Sequence, residues 1–236
     1  KWQTANLEID AGTYTVYAVS APRDKDHLND AQYDTVSLVI KKPYIQATAS
    51  ASVVAKGDKL YLRGTAEGDP SKGVAIWILG KNKVLYATES VNDDMSFEHE
   101  IKSATTSSLY AGQYFVVIQH PMYNNEFDVY PDNPLEPQYV YGSYPTRNSQ
   151  IFKVGGSGAL QGTDAAEALI QAINSPMVDD TYTKMQFLVE EPKVTINPIG
   201  EQAVGSKFEI SGTTNLMYDD NDLLIEVTSS SFKPTD

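Results

Sequence analysis

Apolar and polar residues alternate with a period of two along most of this chain. Leu7 and Ile9, then Tyr14, Val16 and Ala18, fall on one face, with Thr13, Thr15 and Tyr17 on the other. Such alternation predicts half-buried β-strands, with Asp10-Ala11-Gly12 as the turn between the first two. A polar loop from Ala21 to Gln32 follows. Asp34 to Lys42 is again strand-like and rich in β-branched residues, and Pro43 ends it because proline has no N–H for a central ladder. Residues 44 to 65 predict two more strands about a turn at Lys56-Gly57-Asp58, Leu60 and Leu62 facing one way, Tyr61 and Arg63 the other. Gly73 to Gly80 (GVAIWILG) is a nearly continuous apolar run, the pattern of a strand buried on both faces, with Trp77 in its middle. Lys83 to Glu89 and Met95 to Ile101 predict edge-like strands. Gly112 to Gln119 predicts another central one.

After His120-Pro121 the rhythm breaks. A segment rich in proline, tyrosine and acidic residues leads to a strand-like stretch from Ser149 to Val154 and a flexible turn at Gly155-Gly156-Ser157-Gly158. Thr163 to Asn174 then predicts a helix. Asp164 is placed to cap it, Glu167 to complete a capping box, and Pro176 lies just past its end. Ala165, Ala168, Leu169, Ala172 and Ile173 make an apolar stripe, which predicts a lid packed on the sheets.

Two internal echoes set the domain organisation. Tyr33 to Pro43 followed by Gly57 to Thr65 (YDTVSLVIKKP, GDKLYLRGT) returns as Tyr182 to Pro192 followed by Gly205 to Thr213 (YTKMQFLVEEP, GSKFEISGT). Ala11-Gly12-Thr13-Tyr14 returns as Ala111-Gly112-Gln113-Tyr114. Long-period repeats signal an array of like units. Residues 43–191 then form one whole unit, with an insertion at 121–181. Residues 1–42 match only the later strands of such a unit, and 192–236 only its earlier ones. Short strands with regular turns, a tryptophan in the third and Gly-x-Tyr entering a late central strand predict an all-β fold of tandem immunoglobulin-like β-sandwich units, the middle one carrying one α-helix in its insertion. Tyr14 and Tyr114 are each placed to form a tyrosine corner.

Composition narrows the chemistry. A formal charge of -13 opposes a phosphate backbone, so nucleic acid is set aside. Absent cysteines remove disulfides, thiol catalysis and thiolate metal sites. No apolar run approaches the roughly 20 residues of a membrane span, and Lys1-Trp2 opens without signal-peptide character. His27, His99 and His120 lie in no metal-spaced or nucleophile motif, and the pair Glu98 and Glu100 on one strand face is common in an acidic chain. No catalytic residues are therefore expected, and the chain reads as a non-enzyme. Calcium is the cofactor the sequence offers. Asp219-Asp220-Asn221-Asp222 packs four oxygen-bearing side chains into one turn, and Asn92-Asp93-Asp94 does so in a shorter one, although turns favour Asp and Asn for backbone reasons as well. For partners, Tyr123, Phe127, Tyr130, Tyr139, Tyr141 and Tyr144 lie on a proline-stiffened segment, suited to a protein interface or a sugar face.

The stretches VAIWILGKN, GQYFVVIQHPMYNNEFDV, GALQGTDAAEALIQAIN and LLIEVTSSSFKP resemble the repeated extracellular domains of surface and S-layer-like proteins of methanogenic archaea. The resemblance covers most of residues 57–236 and implies an exported, multi-domain cell-envelope protein; it brings no catalytic motif. No N-x-[ST] sequon occurs, a departure from the glycosylation of many such surfaces. The expected function is structural: an extracellular, S-layer-like or filament-forming protein that self-associates or contacts neighbouring surface proteins. The alternative is a cell-surface binding module for polysaccharide or another surface protein, with an accessory domain of a secreted hydrolase a third reading. Half-units of about 40 residues are too small to bury a core alone. Each is therefore expected to find a complementing half, giving head-to-tail contacts.

Overall fold

The structure is a computed structural model that describes residues 10–217 and 222–228. It is predominantly β-sheet. The strands are β1 (Gly12–Val19), β2 (Tyr33–Ile40), β3 (Tyr44–Ala49), β4 (Val53–Ala55), β5 (Leu60–Glu67), β6 (Val74–Gly80), β7 (Lys83–Glu89), β8 (Ser96–Ile101), β9 (Gly112–His120), β10 (Val129–Pro131), β11 (Tyr139–Gly142), β12 (Ser149–Lys153), β13 (Thr181–Glu190), β14 (Val194–Ile196) and β15 (Gly212–Thr214). The helices are α1 (Ser103–Ser108) and α2 (Gly162–Ile173), with a short 3-10 turn at Leu28–Asp30.

Two sheets face each other in the middle of the chain, in the orders β3-β5-β8 and β4-β13-β9-β6-β7. Every pairing is antiparallel except β13 with β4. Alternate residues of the facing strands fill the space between them: Leu60 and Leu62 from one sheet, Val74, Ile76, Ile78, Tyr114, Val116, Ile118 and Phe187 from the other. The apolar run of β6 is buried throughout, as its sequence predicts, because its other face is covered too. There Trp77 and Leu79 join Val117, Val129, Val140, Ala165, Leu169 and Ile173 in a second core under α2 and a small sheet of order β10-β11-β12.

Several expectations need correction. Trp77 lies in the fourth strand of residues 43–191 rather than the third, because β4 intervenes; it belongs to the second core and packs edge-on against Tyr86, with centroids 4.7 Å apart. Its neighbours Ile76 and Ile78 point the other way, and period-two geometry alone cannot say which face of a doubly buried strand meets which layer. The Tyr/Pro-rich segment is not a loop but builds β10 and β11, with Pro131 tolerated because β10 is an edge strand. Residues 44–65 hold three strands: after β3 the chain crosses to the opposite sheet as β4, then returns as β5. The helix is present, yet Asp164 does not cap it. Gln161 occupies that position without a side-chain cap, and its amide Nε2 instead donates to Asn82 Oδ1 at 2.8 Å, tying the helix start to the β6–β7 turn. Helix α1 is unforeseen because Ser and Thr are weak helix formers. Tertiary contacts hold it: the buried Thr106 hydroxyl donates to the Asp58 carbonyl at 2.7 Å and accepts from the Gly57 amide at 3.2 Å.

The echoed stretches share a register as well as residues. In the hairpin β1–β2, Gly12 faces Ile40 and Tyr14 faces Leu38. In β9–β13, Gly112 faces Val189 and Tyr114 faces Phe187, the same partners under the sequence repeat. Both tyrosines close the same corner: Tyr14 donates to the Asp10 carbonyl at 2.6 Å and Tyr114 to the Tyr110 carbonyl at 3.1 Å, each four residues upstream. The other end of the chain behaves alike. Val194, Thr195 and Ile196 of β14 face Thr214, Thr213 and Gly212, as Ile45, Gln46 and Ala47 of β3 face Ala66, Thr65 and Gly64. Gly64 and Gly212 even share their reason for being glycine, since a Cβ at either would collide with the carbonyl oxygen of Gln46 or Thr195 on the partner strand. What differs is burial. Among the described residues, none in 10–42 or beyond 190 is buried.

Candidate functional site

The strongest concentration of chemistry lies where the insertion leaves and rejoins the five-stranded sheet. Thr181 at the start of β13 pairs with His120 at the end of β9, so the chain leaving β9 runs beside the residues that precede β13. Asp179 and Asp180 stand on one side and Asp128, just before β10, on the other. Carboxylate oxygens of all three lie within 4.8 Å of one another. Asp128 and Asp180 are each only 8% exposed, and Asp179 is half-buried.

Backbone and amide donors fix each carboxylate. Asp179 Oδ2 accepts from the amides of Tyr123 (3.1 Å) and Asn124 (3.2 Å), and its Oδ1 accepts from Asn124 Nδ2 at 2.7 Å. Asp180 Oδ2 accepts from Gln119 Nε2 at 2.6 Å and from the Asp128 amide at 2.8 Å. Gln119 is itself oriented by Trp77, whose Nε1 donates to Gln119 Oε1 at 3.2 Å, while Gln119 Nε2 also reaches the Val129 carbonyl at 3.0 Å. Asp128 Oδ2 accepts from the Asp179 amide at 3.3 Å. Asp180 Oδ1 is buried without any hydrogen bond.

No lysine or arginine pairs with these acids among the described ion pairs. Burial pushes the Asp180 carboxyl up to about 7; the bonds from Gln119 and the Asp128 amide oppose the rise, and the charges of Asp128 and Asp179 add to it. Asp179 is raised as well, first by burial and then by Asp128, against the two amides it accepts from. Tyr86 is pushed up to about 12 by burial, with the Asp180 charge contributing. Three acids with no counter-cation and a bare buried oxygen form a site that attracts positive charge. Sequence reasoning missed it, because 51 residues separate Asp128 from Asp179 and no local pattern joins them.

The residues singled out from sequence fare differently. Asp219, Asp220 and Asn221 lie outside the described residues, and Asp222 is exposed. In the shorter acidic turn Asp94 Oδ1 accepts from the Ser96 amide (3.0 Å) and hydroxyl (2.6 Å), bonds that hold its carboxyl below the ordinary value and serve the turn itself. Of the aromatic residues, Tyr123 and Tyr144 are exposed, while Phe127, Tyr130, Tyr139 and Tyr141 are half-buried. Tyr130 faces Tyr141 across β10–β11, and its hydroxyl donates to Asn148 Oδ1 at 2.9 Å and accepts from the Asn148 amide at 3.0 Å. Lys153 Nζ lies 6.0 Å from the Tyr139 ring centroid. Three of these tyrosines thus belong to strands of the small sheet.

Two histidines lie in acid pairs, His27 with Asp24 at 2.7 Å and His99 with Glu89 at 3.0 Å. His120 is fully buried; its Nδ1 accepts from the Met122 amide at 2.9 Å, and its Nε2 makes no hydrogen bond. Glu98 pairs with Arg63, and Glu100 with Lys59 at 3.4 Å. A cleft of about 610 Å³ opens between the β6–β7 turn and the insertion, lined by Asn82, Lys83, Asn133, Glu136, Gln138 and Gln161 among others. Comparison with known proteins finds no matching family model and no matching curated protein.

Proposed function

We propose that this chain is a structural module of an extracellular cell envelope, S-layer-like or filament-forming, built of tandem immunoglobulin-like units and acting through contacts between like subunits. The observation that carries the proposal is the shared register of the exposed terminal strand pairs with strand pairs of the middle unit. A pair that repeats β9–β13 in sequence and register, yet has neither the β6-like nor the β4-like neighbour among the described residues, presents edges suited to added strands. The order β13-β9-β6 facing β3-β5-β8, with a tyrosine corner opening β9, supports the immunoglobulin-like assignment. The resemblance to surface proteins of methanogenic archaea supports the cell-surface location. The role is non-enzymatic, with rigid tandem units as its working parts.

On this reading the late half of one unit completes the early half of the next in head-to-tail fashion. The middle unit supplies the register. Leu188 of β13 lies opposite Val53 of β4. The repeat places Val39 at the position of Leu188, and Glu201 at that of Val53 when Gly205 is matched to Gly57. Because the chain has no native cysteine, the doubly substituted chain Val39→Cys with Glu201→Cys reports the joint without background. Oxidation is expected to yield a ladder of disulfide-linked multimers, and electron microscopy of concentrated protein to show filaments or arrays. Monomer alone in both measurements would reject the assembly.

A second reading rests on the polar cleft beside the β6–β7 turn, whose amide side chains suit hydroxyl-rich ligands: a module that binds cell-surface polysaccharide. The half-buried tyrosines leave less aromatic surface for a sugar than the sequence suggests. Selective glycan binding on an array, lost in Gln138→Ala, would favour it over the structural role.

A further inference from the structure

We propose that Asp128, Asp179 and Asp180 form a site for a hard divalent cation, calcium above all, that clamps the insertion to the main sheets. The proposal goes beyond the structural role above and does not depend on subunit assembly. Three observations converge on it. The carboxylates come from two segments and meet within 4.8 Å, a spacing that fits a single ion: two oxygens on opposite sides of calcium stand about 4.6–5.2 Å apart, given bond lengths near 2.3–2.6 Å. All three donors are oxygens, with no cysteine in the chain and no histidine in the cluster, which selects a hard cation over zinc or copper. Most telling is Asp180 Oδ1, an oxygen of a side chain more than nine-tenths buried that receives no hydrogen bond, on the carboxylate whose other oxygen already accepts two. A buried acceptor of that kind lacks a partner, and a cation supplies one.

The surrounding bonds prearrange the acids. Gln119 and the Asp128 amide hold Asp180, and the amides of Tyr123 and Asn124 hold Asp179, so a cation meets donors that are already in place. At the rim Asn124 Nδ2 donates to Asp179 Oδ1 at 2.7 Å and to Asp128 Oδ2 at 3.4 Å, while its Oδ1 accepts from the Glu126 amide at 2.7 Å, so this side chain positions two of the acids. Such an ion would join three structural parts at once: the end of β9 through Gln119, the outgoing chain through Asp128, and the entry to β13 through Asp179 and Asp180. Its loading would therefore set how firmly residues 121–180 are docked.

Calcium chloride titrated into the full chain after chelator treatment, read by calorimetry and by melting temperature, tests the proposal. One saturable binding event with a rise in melting temperature is expected, together with slower proteolytic cleavage inside residues 121–180. Asp180→Asn should lose both calcium responses. Without calcium it should melt at or above the wild-type temperature, because the neutral amide places a donor where an unpaired charge stood. Should Asp180→Asn fail to fold, Asp179→Asn serves the same comparison. A triple change of Asp219, Asp220 and Asp222 to serine controls for the acidic turn and should leave the response intact. Wild type insensitive to calcium, or a response that survives both aspartate-to-asparagine changes and vanishes in the triple variant, overturns the proposal.

Discussion

The strand pairs β1–β2 and β9–β13 are two copies of one local design with opposite fates. Both open on Ala-Gly-x-Tyr, both close a tyrosine corner four residues back, and both place that tyrosine opposite the same repeat position, Leu38 in one and Phe187 in the other. Phe187 is 1% exposed and stacks on Tyr114 with ring centroids 5.4 Å apart; the hairpin leaves Val36 and Val39 more than 60% exposed. Register and corner therefore do not need a core, since the hairpin keeps both without a buried residue. Burial needs neighbours. The pair β9–β13 has β6 and β4 at its edges and a second sheet above it, whereas the hairpin has none of these among the described residues.

Truncating the paired positions should expose the largest contrast. Phe187→Ala removes a buried ring and its stacking on Tyr114, with an expected loss of about 3–5 kcal/mol in chemical denaturation. Leu38→Ala in the unassembled chain should change stability by no more than about 0.5 kcal/mol. Equal effects would mean that the hairpin packs in solution on something the described residues do not include. In assembled material Leu38→Ala should instead weaken multimers, which sharpens the comparison into a measure of the joint.

Removing the corner hydroxyls should have a smaller effect. Tyr114→Phe deletes the bond to the Tyr110 carbonyl and should cost about 1 kcal/mol, as a net intramolecular hydrogen bond does. Tyr14→Phe should leave the main unfolding transition unmoved, because the hairpin contributes no buried residue to it. A common drop in both would show that the hairpin and the sandwich unfold together.

The pH response should be smaller still. Repeat position 120 carries a buried histidine in β9 but Ser20 after β1. Burial pushes the His120 imidazole below its ordinary 6.5, and the Glu67 carbonyl nearby offsets part of that shift. The folded state then holds His120 neutral while the unfolded chain takes up a proton below about 6.5. Its contribution is complete above that pH and is lost as pH falls through the lowered folded value. Asp180, with its raised value, acts in the opposite sense, so the readout is a difference. The melting temperature of His120→Ser should fall less steeply than that of wild type between pH 6.5 and 5. Parallel slopes would remove His120 from the acid response.

Much of the architecture is legible along the chain because strands advertise themselves by alternation, which depends only on neighbours in sequence. The strands β1, β2 and β5 to β9 and the helix α2 follow from such patterns, whereas the strand expected at Leu7 and Ile9 lies outside the described residues and β1 pairs with β2. The glycine shared by Gly64 and Gly212 explains itself once the strands are paired. The carboxylate cluster was not legible. Asp128 reads as one acid in an acidic, proline-rich stretch and Asp179-Asp180 as a polar turn, and only the pairing of Thr181 with His120 brings them together. The tyrosines misled for a related reason. Their density between Tyr123 and Tyr144 suggests a contact loop, whereas pairing turns three of them into strand residues of a covering sheet.

By itself, then, the sequence determined the period, the repeat and the local closures: the alternation of most of the longer strands, where the corners fall, and that the ends of the chain echo its middle. Tertiary structure alone decided which face of β6 carries Trp77, how β4 crosses between sheets, and that three distant aspartates share one buried space. The division has a simple cause. Backbone geometry repeats every two residues and can be read one neighbour at a time, but burial and electrostatic fields depend on distance in space, which this fold sets by joining segments more than fifty residues apart.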